Sequence, residues 1–228
     1  MDILAQLKQD LYGKKFDYKS LKYTNMFGPD LKTAYIKKPH VNEVIKKYQN
    51  NEELSLDNFP LDESVELTTI YFVLSLIKIK TLKDQLDFLD KKVRFAKSWA
   101  ITDTIQQSLK KLDRNLVDKH IKKWSKSNFE YEKRFAYIIA MKFYKENDVK
   151  NYLEMIDDDQ RYYVLMAEAW LLATLAITHK DEVMALLRNI AKQNPTLTRK
   201  TIQKICDSFR IQVQDKEEFK KIRLLISD

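Results

Sequence analysis

Apolar residues recur at intervals of three and four through most of this 228-residue chain. That spacing is typical of helices that bury one face. Only two glycines and four prolines interrupt it, which leaves few positions for tight β-turns. The pattern predicts an all-α protein with an irregular connection at residues 13–30. The predicted helices lie near residues 2–12, 31–49, 61–79, 82–95, 98–112, 114–124, 128–145, 147–155, 158–178, 181–192, 197–208 and 215–226.

Local signals mark several of the predicted helix starts. Residues 58–60 (Asn-Phe-Pro) precede the third helix, and residues 194–196 (Asn-Pro-Thr) precede the eleventh. Asn128 opens the seventh helix with two glutamates in its first turns, and the acidic run 157–159 precedes the ninth. Acidic residues near a helix N-terminus complement its positive end, so we expect these runs to begin helices.

Successive helix pairs of roughly 30–45 residues with short connections are typical of helical repeats. They favour one domain over residues 1–228, a right-handed α-solenoid of paired antiparallel HEAT-like helices. The concave face of such an array holds an extended partner. A compact, irregular bundle has a similar number of helices, so that alternative stays open.

Composition excludes several classes of site. Two isolated glycines cannot form a glycine-rich phosphate loop, and the single Cys206 cannot form an intramolecular disulfide. The three histidines lack zinc-ligand spacing, so we expect no metal and no cofactor. The first residues lack the features of a signal peptide, and the apolar run 70–77 is too short to span a bilayer. We therefore expect a cytoplasmic protein with no membrane partner, in which residues 70–77 form a buried helix.

Positive charge is concentrated in one region of the chain. The formal net charge is +8, and residues 108–145 carry eleven lysines or arginines against four acidic residues. Nearly all of the excess charge therefore lies in this segment. A local excess of this kind indicates an acidic partner such as nucleic acid, although a basic helix face is more often only solvated.

Trp99 and Asp103 are one helical turn apart and are expected on one helix face. An indole ring beside a carboxylate suits a cationic or electron-poor substrate. Taken singly, a helical tryptophan is more often a core residue, and an aspartate more often caps a helix or pairs with a surface lysine. Aromatic residues near the basic segment, which also suit a nucleic-acid surface, are Tyr137, Tyr144, Tyr162 and Tyr163.

Four segments together resemble the AlkD-like family of DNA alkylation repair proteins. They are Lys97-Ser98-Trp99-Ala100-Ile101-Thr102-Asp103-Thr104-Ile105, Ile121-Lys122-Lys123-Trp124, Tyr131-Glu132-Lys133-Arg134-Phe135-Ala136 and Ala169-Trp170-Leu171-Leu172. The resemblance covers about residues 85–210. It implies a HEAT-like solenoid and a glycosylase that releases cationic N3- or N7-alkylated purines. Ala173 departs from the family pattern, because an arginine often follows the second tryptophan there.

The resemblance also implies the site residues. Asp103, Trp99, Trp170 and Arg134 would form the catalytic cleft, in which Arg134 anchors a phosphate. DNA contacts are expected from Lys122, Lys123, Lys126, Lys133 and Lys142. The expected substrate is alkylated double-stranded DNA, bound by a monomer. Two alternatives stay open: a non-catalytic relative, since the N-terminal third resembles the family poorly, and a helical-repeat scaffold for an acidic protein.

Overall fold

The computed structural model describes residues 2–13, 21–24, 31–61, 63–146 and 149–226. Within these ranges the chain forms twelve α-helices and one pair of short strands, which is an all-α helical-repeat fold. The chain divides into two compact units, Met1–Val117 and Asp118–Asp228, and the division falls inside the sixth helix.

The first unit contains five helices and the strand pair. Its helices are α1 (Ile3–Tyr12), α2 (Lys38–Tyr48), α3 (Val65–Lys78), α4 (Leu82–Lys92) and α5 (Trp99–Ile105). Strands β1 (Lys22–Thr24) and β2 (Leu31–Thr33) pair antiparallel, with Tyr23 opposite Lys32. Helix α6 (Arg114–Trp124) follows and continues into the second unit.

The second unit is built from the remaining helices. They are α7 (Glu130–Ala140), α8 (Lys150–Leu153), α9 (Tyr162–Leu175), α10 (Lys180–Ile190), α11 (Pro195–Asp207) and α12 (Val213–Lys221). Helix α9 packs against both α7 and α11 and forms the centre of the unit. Ten of its fourteen residues are buried, which agrees with its nearly uniform apolar sequence.

The core of the first unit is organised around α3, which is buried along twelve of its fourteen residues. The prediction of a buried helix at residues 70–77 is therefore confirmed for 70–76, and Ile77 is helical but half-buried. Glu66, on the first turn of α3, is also buried. Its carboxylate accepts hydrogen bonds from the Thr33 hydroxyl at 2.6 Å and from the backbone N–H of Ile36 at 3.2 Å. These bonds fasten the extended segment after β2 to the core helix, so the buried carboxylate is compensated.

The side chain of Gln85, on α4, hydrogen-bonds the backbone of the segment that follows α5. Its side-chain amide donates to the Leu76 carbonyl at 2.7 Å and to the Ser108 carbonyl at 3.2 Å. Its oxygen accepts from the backbone N–H of Lys110 at 2.8 Å. Because Gln85 is fully buried, these bonds satisfy polar groups that water cannot reach.

All twelve predicted helices are present, but three predicted starts are wrong by four residues or more, and one of these is the start of α9, which begins at Tyr162 instead of 158. Residues 31–37 were expected to be helical, whereas 31–33 form β2 and α2 begins at Lys38, with Pro39 in its first turn. The third helix begins at Val65 instead of 61, because Ser64 caps it by accepting from the Leu67 N–H. Most of the predicted connection at 13–30 lies outside the described residues, and β1 occupies its described part.

Candidate functional site

Helix α5 presents Trp99 as its first residue and Asp103 one turn later. The helix begins here because Ser98 is buried and its hydroxyl oxygen accepts from the Ala100 N–H at 3.1 Å. Trp99 and Asp103 are both half-buried, while Ile101 between them is fully buried. The first unit therefore presents an indole and a carboxylate on one partly exposed helix face, as the spacing predicted.

The surroundings of Asp103 fix its backbone and leave its carboxylate partly accessible. The side-chain amides of Gln106 and Gln107 both donate to the Asp103 carbonyl, at 3.2 and 3.3 Å. The Thr102 hydroxyl lies 3.3 Å from one carboxylate oxygen. A carboxylate on a fixed backbone is suited to stabilising positive charge that develops on a bound molecule.

Trp170 projects outward from the most apolar helix of the second unit. It is 43% exposed, although its neighbours Ala169 and Leu171 are fully buried. Tyr163 and Met166, seven and four residues earlier on α9, are partly exposed and share its face. These three residues, with the exposed Tyr162 beside them, form what we call the α9 aromatic strip. An apolar strip kept in contact with water on a core helix indicates a surface for a flat, apolar ligand group.

Arg134 is buried, with only 5% of its surface exposed. Its guanidinium donates to the Tyr163 carbonyl at 3.0 Å, which joins α7 to the first turn of α9. The prediction from the sequence was that Arg134 anchors a phosphate in the catalytic cleft. The structure instead places Arg134 underneath the α9 aromatic strip, where it positions the helix that carries Trp170.

Lys133 is also buried, in contrast to the DNA contact expected from the sequence. Its ammonium lies 2.5 Å from Asp157 and 3.0 Å from Asp159, and Arg161 pairs with Asp159 from the other side. Burial raises the pKa of Asp159, but hydrogen bonds from Arg161 and Lys133 outweigh it and hold that pKa far below its ordinary value. Asp157 and Asp159 of the acidic run thus form an ion-pair network with Lys133 and Arg161 instead of capping α9.

Several exposed lysines of the basic segment lie along α6 and just beyond it. Lys119, Lys122 and Lys126 line a cleft of about 480 Å³ between α6 and α8. Three acidic residues, Asp118, Glu154 and Asp157, line the same cleft. The remaining lysines of the predicted DNA-binding set, Lys123 and Lys142, are exposed as well. Lys119 was absent from that set, although its spacing of three from Lys122 places both on one helix face.

Other aromatic candidates divide between core and surface. Trp124 is fully buried between His120 and Phe135, with ring centroids 5.5 and 5.3 Å away. Tyr137 is also fully buried, and its hydroxyl donates to Glu168 at 2.8 Å. Tyr144 is half-buried, with Arg210 over its ring. Of the four candidate tyrosines, only Tyr162 and Tyr163 belong to the α9 aromatic strip.

In the described parts of the chain, no cluster of three or more histidine, cysteine or acidic side chains is placed to hold a metal ion. No helix among those residues is long and apolar enough to cross a membrane.

Comparison with known proteins gives one match. A family model described as DNA alkylation repair enzyme matches residues 9–205. This range extends well before residue 85, where the resemblance had been placed. No curated protein and no solved structure matches the chain.

Proposed function

The chain belongs to the DNA alkylation repair enzyme family, and from that membership we propose that it is a DNA glycosylase. The proposed reaction is hydrolysis of the N-glycosidic bond of cationic N3- or N7-alkylated purines in duplex DNA. The family match over residues 9–205 carries the proposal. The exposed Trp170 and the accessible Asp103 support it.

The substrate's own charge accounts for the simplicity of the proposed site. An alkylated N3 or N7 gives the purine a formal positive charge, so the base leaves with the bond's electron pair as a neutral molecule. Little acid catalysis is then needed. What remains is to stabilise the sugar cation and to add water to it, with release of the water's proton.

Asp103 is proposed to carry this chemistry. Its fixed carboxylate lowers the energy of the developing sugar cation electrostatically and orients the attacking water. Trp99 beside it is proposed to contact the deoxyribose of the lesion and to add a cation–π attraction of about 0.5–2 kcal/mol, depending on how far water is excluded. Trp170, on the α9 aromatic strip, is proposed as an aromatic DNA contact of the second unit.

Arg134 and Lys133 are not proposed to contact DNA. Because both are buried and bonded inside the second unit, we assign Arg134 to positioning the helix of Trp170. Lys122, Lys123, Lys126 and Lys142 are exposed, and we propose that they contact DNA phosphates.

The decisive experiment compares base release by wild type and Asp103→Asn from duplex DNA carrying 7-methylguanine. Removing the negative charge is expected to lower the single-turnover rate by roughly a hundredfold or more. Loss of one group that stabilises charge in a transition state lowers enzymatic rates by about that factor. Asp87→Asn, an exposed carboxylate of the same unit, is the matched control and should leave the rate unchanged.

Stability and DNA affinity should be nearly unchanged in Asp103→Asn, because the side chain is half-exposed. If wild type releases no base at any enzyme concentration, the glycosylase proposal is wrong. Duplex binding would then favour a non-catalytic relative, and its absence would favour a scaffold for an acidic protein.

A further inference from the structure

A second basic surface lies near the C-terminal end of the second unit, whereas the basic segment lies at its N-terminal end. Arg199 and Lys200 on α11 and Arg223, in the 3₁₀ turn after α12, line a cleft of about 490 Å³. Thr196 and Gln203 complete its lining. The four α11 positions are spaced 0, 3, 4 and 7, so they form one helix face. We call these five residues the α11 cleft.

The acidic residues of α12 are engaged elsewhere, and Asp207, at the end of α11, does not line the cleft. Helix α12 contains Asp215, Glu217 and Glu218. Asp215 and Glu218 pair with Lys180 at 2.8 and 3.0 Å, and Glu217 pairs with Lys220 at 2.7 Å. Among the described residues that line the α11 cleft, none is acidic. The cleft between α6 and α8 differs in this respect, since three carboxylates line it.

The lining chemistry defines the ligand. Three cations held in one cleft repel one another, and an anion between them relieves that repulsion. Two arginine guanidinium groups offer forked pairs of N–H donors, which match the oxygens of a phosphate. The Thr196 hydroxyl and the Gln203 amide add neutral donors, and Thr196 lies in the first turn of α11, where the helix end is positive.

We propose that the α11 cleft binds backbone phosphates of DNA. The inference rests on the proposed DNA substrate, but it is independent of base release. Two guanidinium groups and an ammonium offer more donors than one phosphate uses, so adjacent phosphates of a strand suit the cleft better than a single free anion. The surface adds DNA contacts outside the basic segment 108–145.

The test uses an undamaged duplex and two triple variants of equal charge. The cleft variant is Arg199→Gln, Lys200→Gln, Arg223→Gln. The control is Arg188→Gln, Lys192→Gln, Lys221→Gln, at exposed positions of the same unit outside the cleft. The cleft variant should bind roughly tenfold or more weakly at 0.1 M salt, and its plot of log affinity against log salt should be shallower by about 2.7, because three cations are removed. The control should change both quantities much less.

The outcomes separate this inference from the proposed reaction. If both variants lose affinity equally, or the cleft variant loses none, the inference is wrong even where base release is retained. If wild type releases no base but the cleft variant still shows the shallower salt dependence, the inference stands and the glycosylase proposal fails. Absence of duplex binding by wild type overturns the inference.

Free phosphate is distinguished by calorimetric titration of both variants and wild type with inorganic phosphate and pyrophosphate. Pyrophosphate binding that the cleft variant loses while its duplex affinity is unchanged would assign the cleft to a free anion and overturn its assignment to DNA. Matching thermal unfolding of the two variants shows that the comparison concerns binding and not folding.

Discussion

At the scale of single residues, Glu168 is a strongly perturbed carboxyl group in the core of the second unit. It is fully buried on α9 and accepts a hydrogen bond from the Tyr137 hydroxyl at 2.8 Å. Its second carboxylate oxygen has no hydrogen-bond partner among the described residues. Burial outweighs the hydrogen bond from Tyr137 and raises the pKa of Glu168 from 4.5 to about 8. The folded protein therefore keeps Glu168 protonated at neutral pH.

The raised pKa of Glu168 predicts how stability changes with pH. Between pH 4.5 and about 8 the folded state holds a proton that the unfolded state has released. The contribution of Glu168 to stability is thus fully present below pH 4.5 and is lost as the pH rises through about 8, by at most about 1.4 kcal/mol per pH unit. In Glu168→Gln this dependence should disappear. Urea unfolding from pH 5 to 9 measures it.

The wild-type curve alone does not isolate Glu168, because other groups titrate as well. The quantity to compare is the difference in unfolding free energy between Glu168→Gln and wild type at each pH. This difference should shift in favour of the variant as the pH rises. The exposed Glu53→Gln provides a control. Parallel curves for Glu168→Gln and wild type would contradict the raised pKa.

Which functional side chains are exposed could not be predicted from the sequence. Trp124 and Trp170 both occur in apolar helical patterns, yet one is fully buried and the other is 43% exposed. Likewise Lys122 is exposed and Lys133 is buried, although both belong to the basic segment. In each case the difference depends on contacts with residues distant in the chain, such as Asp157 for Lys133.

At the scale of elements, the ion-pair network around Lys133 connects α7 to the segment that leads into α9. Lys133 on α7 bonds to Asp157 and Asp159, and the side chains of Lys133 and Asp159 are both more than nine-tenths buried. Arg134, next to it, bonds the first turn of α9. Lys133 and Arg134 thus fix the position of α9, the helix that carries the α9 aromatic strip.

Removal of Lys133 should therefore destabilise the protein. In Lys133→Met the buried Asp159 loses one of its two cations, and removing one partner of a buried ion pair costs about 3 kcal/mol. Urea unfolding at pH 7 measures the loss. Lys126→Met, at an exposed lysine, should leave stability unchanged and lower only the affinity for DNA. If Lys133→Met were as stable as Lys126→Met, the network would not hold the two elements together.

Helices were predictable from the sequence because each buries one face, and burial of one face imposes a period on the chain. The first residue of each helix was less predictable. The proline at 39 could have marked the start of α2, since proline is tolerated in the first turn of a helix. Strands β1 and β2 are only three residues each, too short for an alternating pattern to emerge. Glu66, which fastens the segment after β2, lies some 30 residues further along.

At the scale of the whole molecule, the proposed DNA interface predicts a strong dependence of binding on salt. Each phosphate contact releases about one counterion, so affinity for a short duplex should fall steeply between 0.05 and 0.2 M salt. In the variant Lys122→Gln, Lys123→Gln, two exposed charges of the basic segment are removed. The slope of log affinity against log salt should then decrease by about 1.8.

The corresponding control removes two exposed lysines of the first unit, Lys46→Gln and Lys83→Gln. These carry the same change in net charge but lie outside the basic segment. An equal decrease of the slope in both variants would mean that DNA affinity depends on the net charge of the protein and not on the lysines of α6. Fluorescence anisotropy of a labelled duplex measures all three slopes.

Much of the molecule's charge distribution could be predicted from the sequence, and part of it could not. The excess at residues 108–145 is visible by counting, and most of its proposed phosphate contacts are exposed. The α11 cleft is not visible in this way, because Arg199 and Arg223 are distant in sequence and acidic residues lie between them. Three of those acidic residues pair with Lys180 and Lys220, and the fourth, Asp207, does not line the cleft, which leaves the cleft basic.

The outward position of Trp170 also supplies an optical signal. Trp124 is sealed in the core, so its fluorescence should be blue-shifted and insensitive to acrylamide. Trp170 emits from contact with water, and a sugar or base placed against its ring should quench it. With Trp99 replaced by Phe, the emission reports Trp124 and Trp170 alone. Arrival of DNA at the α9 aromatic strip can then be followed on an unlabelled protein, in real time and before any bond is broken.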